Sequence, residues 1–323
     1  MGCTITMKRK ILLFFCILLF IASVLTIISM HRNSDAQQLK KIIIVTTTSM
    51  LADAVRMIVR DVDGVVVYGL MGPGIDPHMY RARESDVHTL AAADVVVYNG
   101  LHLEGKMGQV LQGMNRFTAV INASHALTKE QLRCAEFEDL YDPHIWFDVS
   151  LWIKVVRYIQ ESIIAIDSEH ADIYIKNGDE YCAQLKELHT SIKQRVNEID
   201  EHKRILVTAH DAFGYFGDAY GFTVMGLQGL STDGDISTKD IQQLADYIVE
   251  KQIPVIFVES SIPQRSLMAV RNAVAARGHN VTIGAELYSD ALGDNTTSAL
   301  SYIGMVKYNV DTIVDAFMSY PSV

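Results

Sequence analysis

The sequence contains no C-x-x-C pair, no glycine-rich phosphate loop, no low-complexity segment and no block of like charge. Each absence removes a class of function. Without paired cysteines, a Cys-based zinc site is not the organising chemistry. Without a phosphate loop, the chain has no motif of its own for hydrolysing ATP. A formal net charge of −10 opposes nucleic acid as the main partner, because neutralising phosphates takes a basic face. Cysteine is scarce, with four residues in 323. Outside the N-terminal segment only Cys134 and Cys182 remain, and their spacing leaves a disulfide open in either direction. Proline is also scarce for this length, and two of the six stand in the same frame, Asp76-Pro77-His78 and Asp142-Pro143-His144.

One long hydrophobic run is present. Lys8-Arg9-Lys10 precede "ILLFFCILLFIASVLTIISM", residues 11–30, which carry no charge. A basic start followed by an apolar run reads as an export signal. The run is also about as long as a membrane span. Two outcomes follow. Ser34-Asp35-Ala36 offers a small-x-small cleavage site that would leave a soluble protein from Gln37. Alternatively the segment stays as an uncleaved anchor in the cytoplasmic membrane, basic side inward. Cys16 follows two phenylalanines rather than small residues, which argues against lipidation there. Both outcomes place the rest of the chain in the periplasm or otherwise outside the cytoplasm.

From residue 41 short apolar runs alternate with helical patterns. "KIIIVTTT", "VVVYGL", "DVVVYNG" and "FTAVIN" read as strands separated by helices, and "RILVTA", "FTVMGL", "PVIFVES" and "VTIGAEL" repeat the pattern. Such alternation predicts parallel βα units, hence an α/β fold with four units in each half. Between the halves, residues 167–200 carry no proline and one glycine, Gly178. Tyr174, Tyr181, Leu185, Leu188, Ile192 and Val196 recur at helical spacing. A helix of about 30 residues would run about 45 Å. It reads either as a surface helix of one large domain or as a rigid connector between two lobes. The boundaries expected are 1–36 for the leader, 37–166 for the first lobe, 167–200 for the connecting helix and 201–323 for the second lobe.

Ligands in parallel α/β folds bind at the carboxyl ends of strands. Four polar residues fall there: His78, His144, His210 and Asp290. Any one of them has an ordinary reading as a turn or capping residue. Two in each half, at equivalent places, point to a shared centre. Three imidazoles and a carboxylate suit a divalent transition metal. Three imidazoles and one aspartate fill a tetrahedral shell, or five positions if Asp290 is bidentate, which favours holding an ion over reacting at one. Ligating imidazoles must be neutral, so affinity is expected to fall below about pH 6.5. Asp76 and Asp142 are candidates to support the ligands, with Asp148 and Asp211 after them. A metal-dependent hydrolase would use the same cluster with Asp211 or Glu259 as base, and a surface adhesin would carry the metal incidentally.

The segments "GIDPHMYRARESDV", "ADVVVYNGLHLEGKM", "DPHIWFDVSLW", "TAHDAFGYFGDAYGF", "STDGDISTKDI", "IFVESSIPQRS" and "GAELYSDALG" carry a resemblance. In order and spacing they resemble the TroA-like (cluster A-I) metal-binding solute receptors of bacterial ABC transporters, over nearly all of residues 41–323. The resemblance implies two (β/α)4 lobes bridged by one long helix, and metal ligands at His78, His144, His210 and Asp290. It implies one divalent ion as cargo, zinc or else manganese or iron, and delivery to a permease with its ATPase subunit. It implies a monomer with no enzymatic activity. Zinc-specialised relatives often carry a His-rich loop; here residues 123–143 are acidic and hold one spare histidine, His125. Manganese receptors often have Glu at the third ligand position, where this chain has His210.

Overall fold

A computed structural model describes residues 41–114, 118–134 and 140–320, together with Phe20, Ser23, Val24 and Thr26. Most of the 11–30 run and the acidic residues 136, 138 and 139 lie outside the described residues. The chain divides into two compact units, Met1–Lys41 and Ile42–Val323. The fold and the site described below lie within the second. Among the described residues no helix is long and apolar enough to cross a membrane.

The first half is a four-stranded sheet in the order β2-β1-β3-β4, formed by β1 (Ile42–Thr46), β2 (Val65–Gly69), β3 (Val95–Tyr98) and β4 (Ala119–Asn122). Every pairing is parallel. Runs such as IIIVT and VVVY suit this setting, because β-branched residues pack well on a sheet covered on both faces. The intervening helices are α1 (Ser49–Val59), α2 (Glu84–Ala91) and α3 (Gly108–Met114).

The second half begins with β5 (Ile205–His210) and continues through α6 (Gly214–Tyr220), β6 (Thr223–Gln228), α7 (Thr238–Glu250), β7 (Val255–Ile256), α8 (Arg265–Ala275), β8 (Thr282–Ile283) and α9 (Tyr302–Met318). All eight expected strands are present, but the last two are short. β5 pairs with β6 and β7 with β8, both parallel. Phe257 N donates to Val207 O at 2.9 Å and joins the two ladders. Past Ile256 pairing with the β8 side survives as an isolated bridge, Glu259 with Leu287. Ser237 caps α7 by accepting from Asp240 N, as its position before the helix predicts.

Two helices precede the second half. The expected long helix is α5 (Ala171–Val196), 26 residues or about 39 Å, shorter than the 167–200 span because a 3-10 turn, Ser168–His170, precedes it and the chain turns off after its C-cap, Asn197. The six apolar positions that predict it are all buried. α4 (Val149–Ile166) packs against it as a partner that sequence patterning did not single out. Gln160 of α4 donates through Nε2 to Tyr174 O of α5 at 3.0 Å. α5 also packs on α1, α6 and α9. One hydrophobic core runs through these elements, from Leu51 and Val55 through Trp152 and Leu185 to Tyr215, Met305 and Ile313. Smaller clusters sit under each half alone. Residues of both halves therefore share one core. Cys134 and Cys182 are both free.

Candidate metal centre

The two Asp-Pro-His frames fold the same way. Asp76 Oδ1 accepts from His78 N at 2.9 Å, and Asp142 Oδ1 accepts from His144 N at 2.9 Å. Each is a turn in which an aspartate bonds the backbone two residues on. The proline between fixes one backbone angle and offers no competing donor. The repeated triplet is thus a device for presenting a histidine on a stiff turn. His210 closes strand β5, and Asp290 follows the short β8.

These four residues converge. His78 Nε2 lies 3.3 Å from His144 Nε2. Asp290 Oδ1 is 3.5 Å from His144 Nε2, and Asp290 Oδ2 is 3.3 Å from His210 Nε2 and 4.0 Å from His78 Nε2. One ligand atom from each lies within 4.8 Å of all the others, and all four residues are buried. Metal bonds of about 2.0–2.1 Å in a tetrahedron give ligand–ligand edges of about 3.3 Å. Three of the four measured separations lie at or near that length. Among the described residues other histidines have their own partners: His170 bonds Asp167, His189 bonds Tyr220 and His279 meets the Ile253 carbonyl.

The surroundings fix which imidazole atom faces inward. Asp142 Oδ1 lies 2.7 Å from His144 Nδ1, so Nδ1 carries the proton and Nε2 presents its lone pair to the centre. Glu259 stands against the corresponding side of His210. Its Oε2 is 2.6 Å from His210 Nδ1, and its Oε1 accepts from His210 N at 2.9 Å. His210 Nε2 and Asp290 Oδ1 are buried with no hydrogen-bond partner among the described residues. Inward lone pairs beside a buried carboxylate repel one another unless a cation sits among them.

The electrostatics agree. Burial pushes the His78 imidazole down to about 3, against the pull of Asp290, so it stays neutral. Burial also opposes charge on His210, but Glu259 and then Asp290 outweigh it and hold that imidazole well above its ordinary value. Asp290 is buried too, yet the neighbouring imidazoles, His210 foremost, hold its carboxyl below the usual range. With no ion bound, a proton on His210 stands where a cation is wanted.

Several supporting residues were not assigned these roles from sequence. Glu259, read there only as a candidate base, orients His210 instead. Trp146 Nε1 donates to Ser289 O at 3.0 Å and so holds the segment carrying Asp290. Arg133 Nε lies 3.6 Å from Asp142 Oδ2, and Arg133 Nη1 meets both carboxylate oxygens of Asp218 at 3.0 Å. Trp146 had a signal, standing two residues after the second Asp-Pro-His. Asp148 proves to be a helix cap, accepting from Ser150 N at 2.8 Å. Asp211 is raised by burial and by the Asp142 carboxylate.

The backbone around His210 leaves no spare room. A Cβ added at Gly226 on β6 would meet backbone atoms of His210, Asp211 and Gln228. Gly226→Ala is expected to cost about 1–3 kcal/mol of stability. Thermal unfolding of the variant beside the wild type checks this.

The family model described as zinc-uptake complex component A, periplasmic (ZnuA), matches residues 44–316. The chain belongs to this family. Within the ZnuA family it is 45% identical over 284 residues to the zinc-binding protein TroA of Treponema pallidum (strain Nichols), covering 88% of this chain and 91% of TroA. It is 45% identical over 286 residues to the manganese-binding lipoprotein MntA of Bacillus subtilis (strain 168), covering 88% of this chain and 91% of MntA. The solved structure of the periplasmic zinc-binding protein TroA from Treponema pallidum matches with a TM-score of 0.83 at 45% identity, over 86% of this chain and 99% of that one. The fold of this ZnuA-family chain is therefore the one its resemblance implied. Identity is equal toward a relative named for zinc and one named for manganese, so the choice of ion rests on the donor set.

Proposed function

We propose that His78, His144, His210 and Asp290 hold one divalent transition ion as cargo, and that this chain is the receptor that passes it to a membrane permease driven by an ATPase subunit. The observation that carries the reading is four buried residues whose ligand atoms all lie within 4.8 Å of one another, with His210 Nε2 and Asp290 Oδ1 left without a hydrogen-bond partner among the described residues. Zinc fits best, since three imidazoles and a carboxylate bind zinc more tightly than manganese or iron(II). Availability of the ions outside the cell acts on top of that order.

The site is built for capture rather than catalysis. A catalytic zinc keeps one position open for water, and four protein ligands occupy the tetrahedral shell. Glu259 Oε1 accepts from His210 N and its Oε2 lies 2.6 Å from His210 Nδ1, so this carboxylate stands against the ligand histidine. Residues 37–166 and 201–323 act as two lobes on the 167–200 connector. Their shared core supports release through the rim rather than through wide domain opening. At that rim Thr232 Oγ1 donates to Asp76 Oδ2 at 2.6 Å, and Lys106 pairs with Asp233. Asp76 thereby ties the His78 turn to the loop after β6. Residues 1–36 take the chain across the cytoplasmic membrane, either cleaved after Ala36 or retained as an anchor.

Cells lacking the chain are expected to lose zinc uptake and grow poorly in chelated medium. The wild-type gene should restore both. Normal growth and uptake without the chain would favour the adhesin reading instead.

A further inference from the structure

The loop after β3 holds the most unusual backbone near the site. Gly100, Leu101 and His102 take φ values of +84°, +53° and +64° in succession. Side chains other than glycine avoid this region because Cβ crowds the following carbonyl. Such a turn persists only where its surroundings hold it.

Glu104 supplies the hold. It is buried, 3% exposed. Its Oε1 accepts from Asn99 N at 2.7 Å and from Thr47 Oγ1 at 2.6 Å, and its Oε2 accepts from Gly100 N at 3.1 Å. The donors come from the carboxyl ends of β1 and β3. Asn99, also buried, donates through Nδ2 to Pro143 O at 2.9 Å. That carbonyl belongs to the peptide that leads into His144. The amide end of the same peptide is held by Asp142. The peptide plane is therefore gripped at both ends, and rotating it would swing the His144 imidazole away from His78 and Asp290.

We propose that Glu104 is a positioning residue for metal capture. It locks the left-handed turn at 100–102 so that Asn99 clamps the Pro143–His144 peptide. The proposal rests on the reading of His144 as a ligand. Neither Glu104 nor Asn99 touches the ion; both act through the backbone of His144.

The test is a double-mutant cycle on the full chain, stripped of metal and titrated with zinc against a chromophoric chelator. Glu104→Gln places an amide where two backbone N–H groups need acceptors. It is expected to lower zinc affinity about 10–100-fold, as is typical when a ligand's supporting contact is lost. Asn99→Ala should do the same. Because the two act in series, the double variant should bind within about threefold of the weaker single. Losses that multiply would overturn the proposal. So would a Glu104→Gln variant that melts earlier without metal yet binds zinc within about threefold of wild type, since that marks a purely structural role. If Glu104→Gln does not fold, Thr47→Val removes one of the three donors and enters the same cycle with the same criteria. Wild-type protein that binds no zinc would overturn the ligand reading and this one together. Wild-type binding matched by every single variant would overturn this one alone.

Discussion

Asp290→Asn is expected to weaken zinc binding by on the order of a thousandfold. Two unit charges about 4 Å apart interact by about 4 kcal/mol at an effective dielectric of about 20, and about 1.4 kcal/mol is a factor of ten in affinity. Asp290 is the only carboxylate among the four converging residues, and it is buried. The amide keeps the shape and one acceptor but loses the charge. A direct ligand to a divalent ion gives up at least the energy of that unit pair. The same change removes one of the two carboxylates that keep His210 protonated, so the imidazole should titrate at lower pH in the variant. Competition titration measures the first effect, and NMR of the histidine rings measures the second. A loss smaller than about tenfold would show that the carboxylate is not a ligand.

The second large effect is on pH. An ion bound to His210 Nε2 needs the lone pair there. In the metal-free protein Glu259 and Asp290 hold a proton on that imidazole, even though burial works against it. The metal-free state therefore binds about one more proton than the loaded state. Affinity then rises about tenfold for each pH unit, until the pH passes the raised value of His210 and the curve flattens. His78 adds little to this slope, because burial has already driven its value to about 3. From sequence alone the fall is expected to begin below about pH 6.5, the value of an ordinary imidazole. The structure moves its onset upward. For metal-free stability the sign is opposite: a raised His210 stabilises the fold at low pH, and that contribution is lost as the pH rises through its folded value. Zinc affinity that is flat between about pH 6 and 8 would contradict this assignment.

Much of this centre was legible in the residues. Strand ends could be placed because IIIVT, VVVY and ILVTA are short β-branched runs bounded by helical patterns. The four ligand candidates could be named because each comes after such a run, His144 only at the end of a long loop from β4. The repeated Asp-Pro-His worked as a local signal because its geometry depends on contacts only two residues apart. What was not legible depends on contacts between distant parts of the chain. Glu259 reaches His210 across 49 residues, and Trp146 reaches Ser289 across 143. No local pattern encodes either. Helix α4 was not singled out, although its buried Val149, Trp152, Val155, Val156, Ile159 and Ile163 recur at helical spacing. A second local mark was Asp148, a helix cap that was read as a supporting residue of the metal site.

The central claim is that four side chains, two from each half, hold one ion. The most direct measurement is elemental analysis by mass spectrometry of the protein purified without chelator or affinity tag, beside Asp290→Asn. About one equivalent of a single transition metal is expected in the wild type, zinc first, and little in the variant. Wild-type protein that arrives metal-free and takes up neither zinc, manganese nor iron would contradict it.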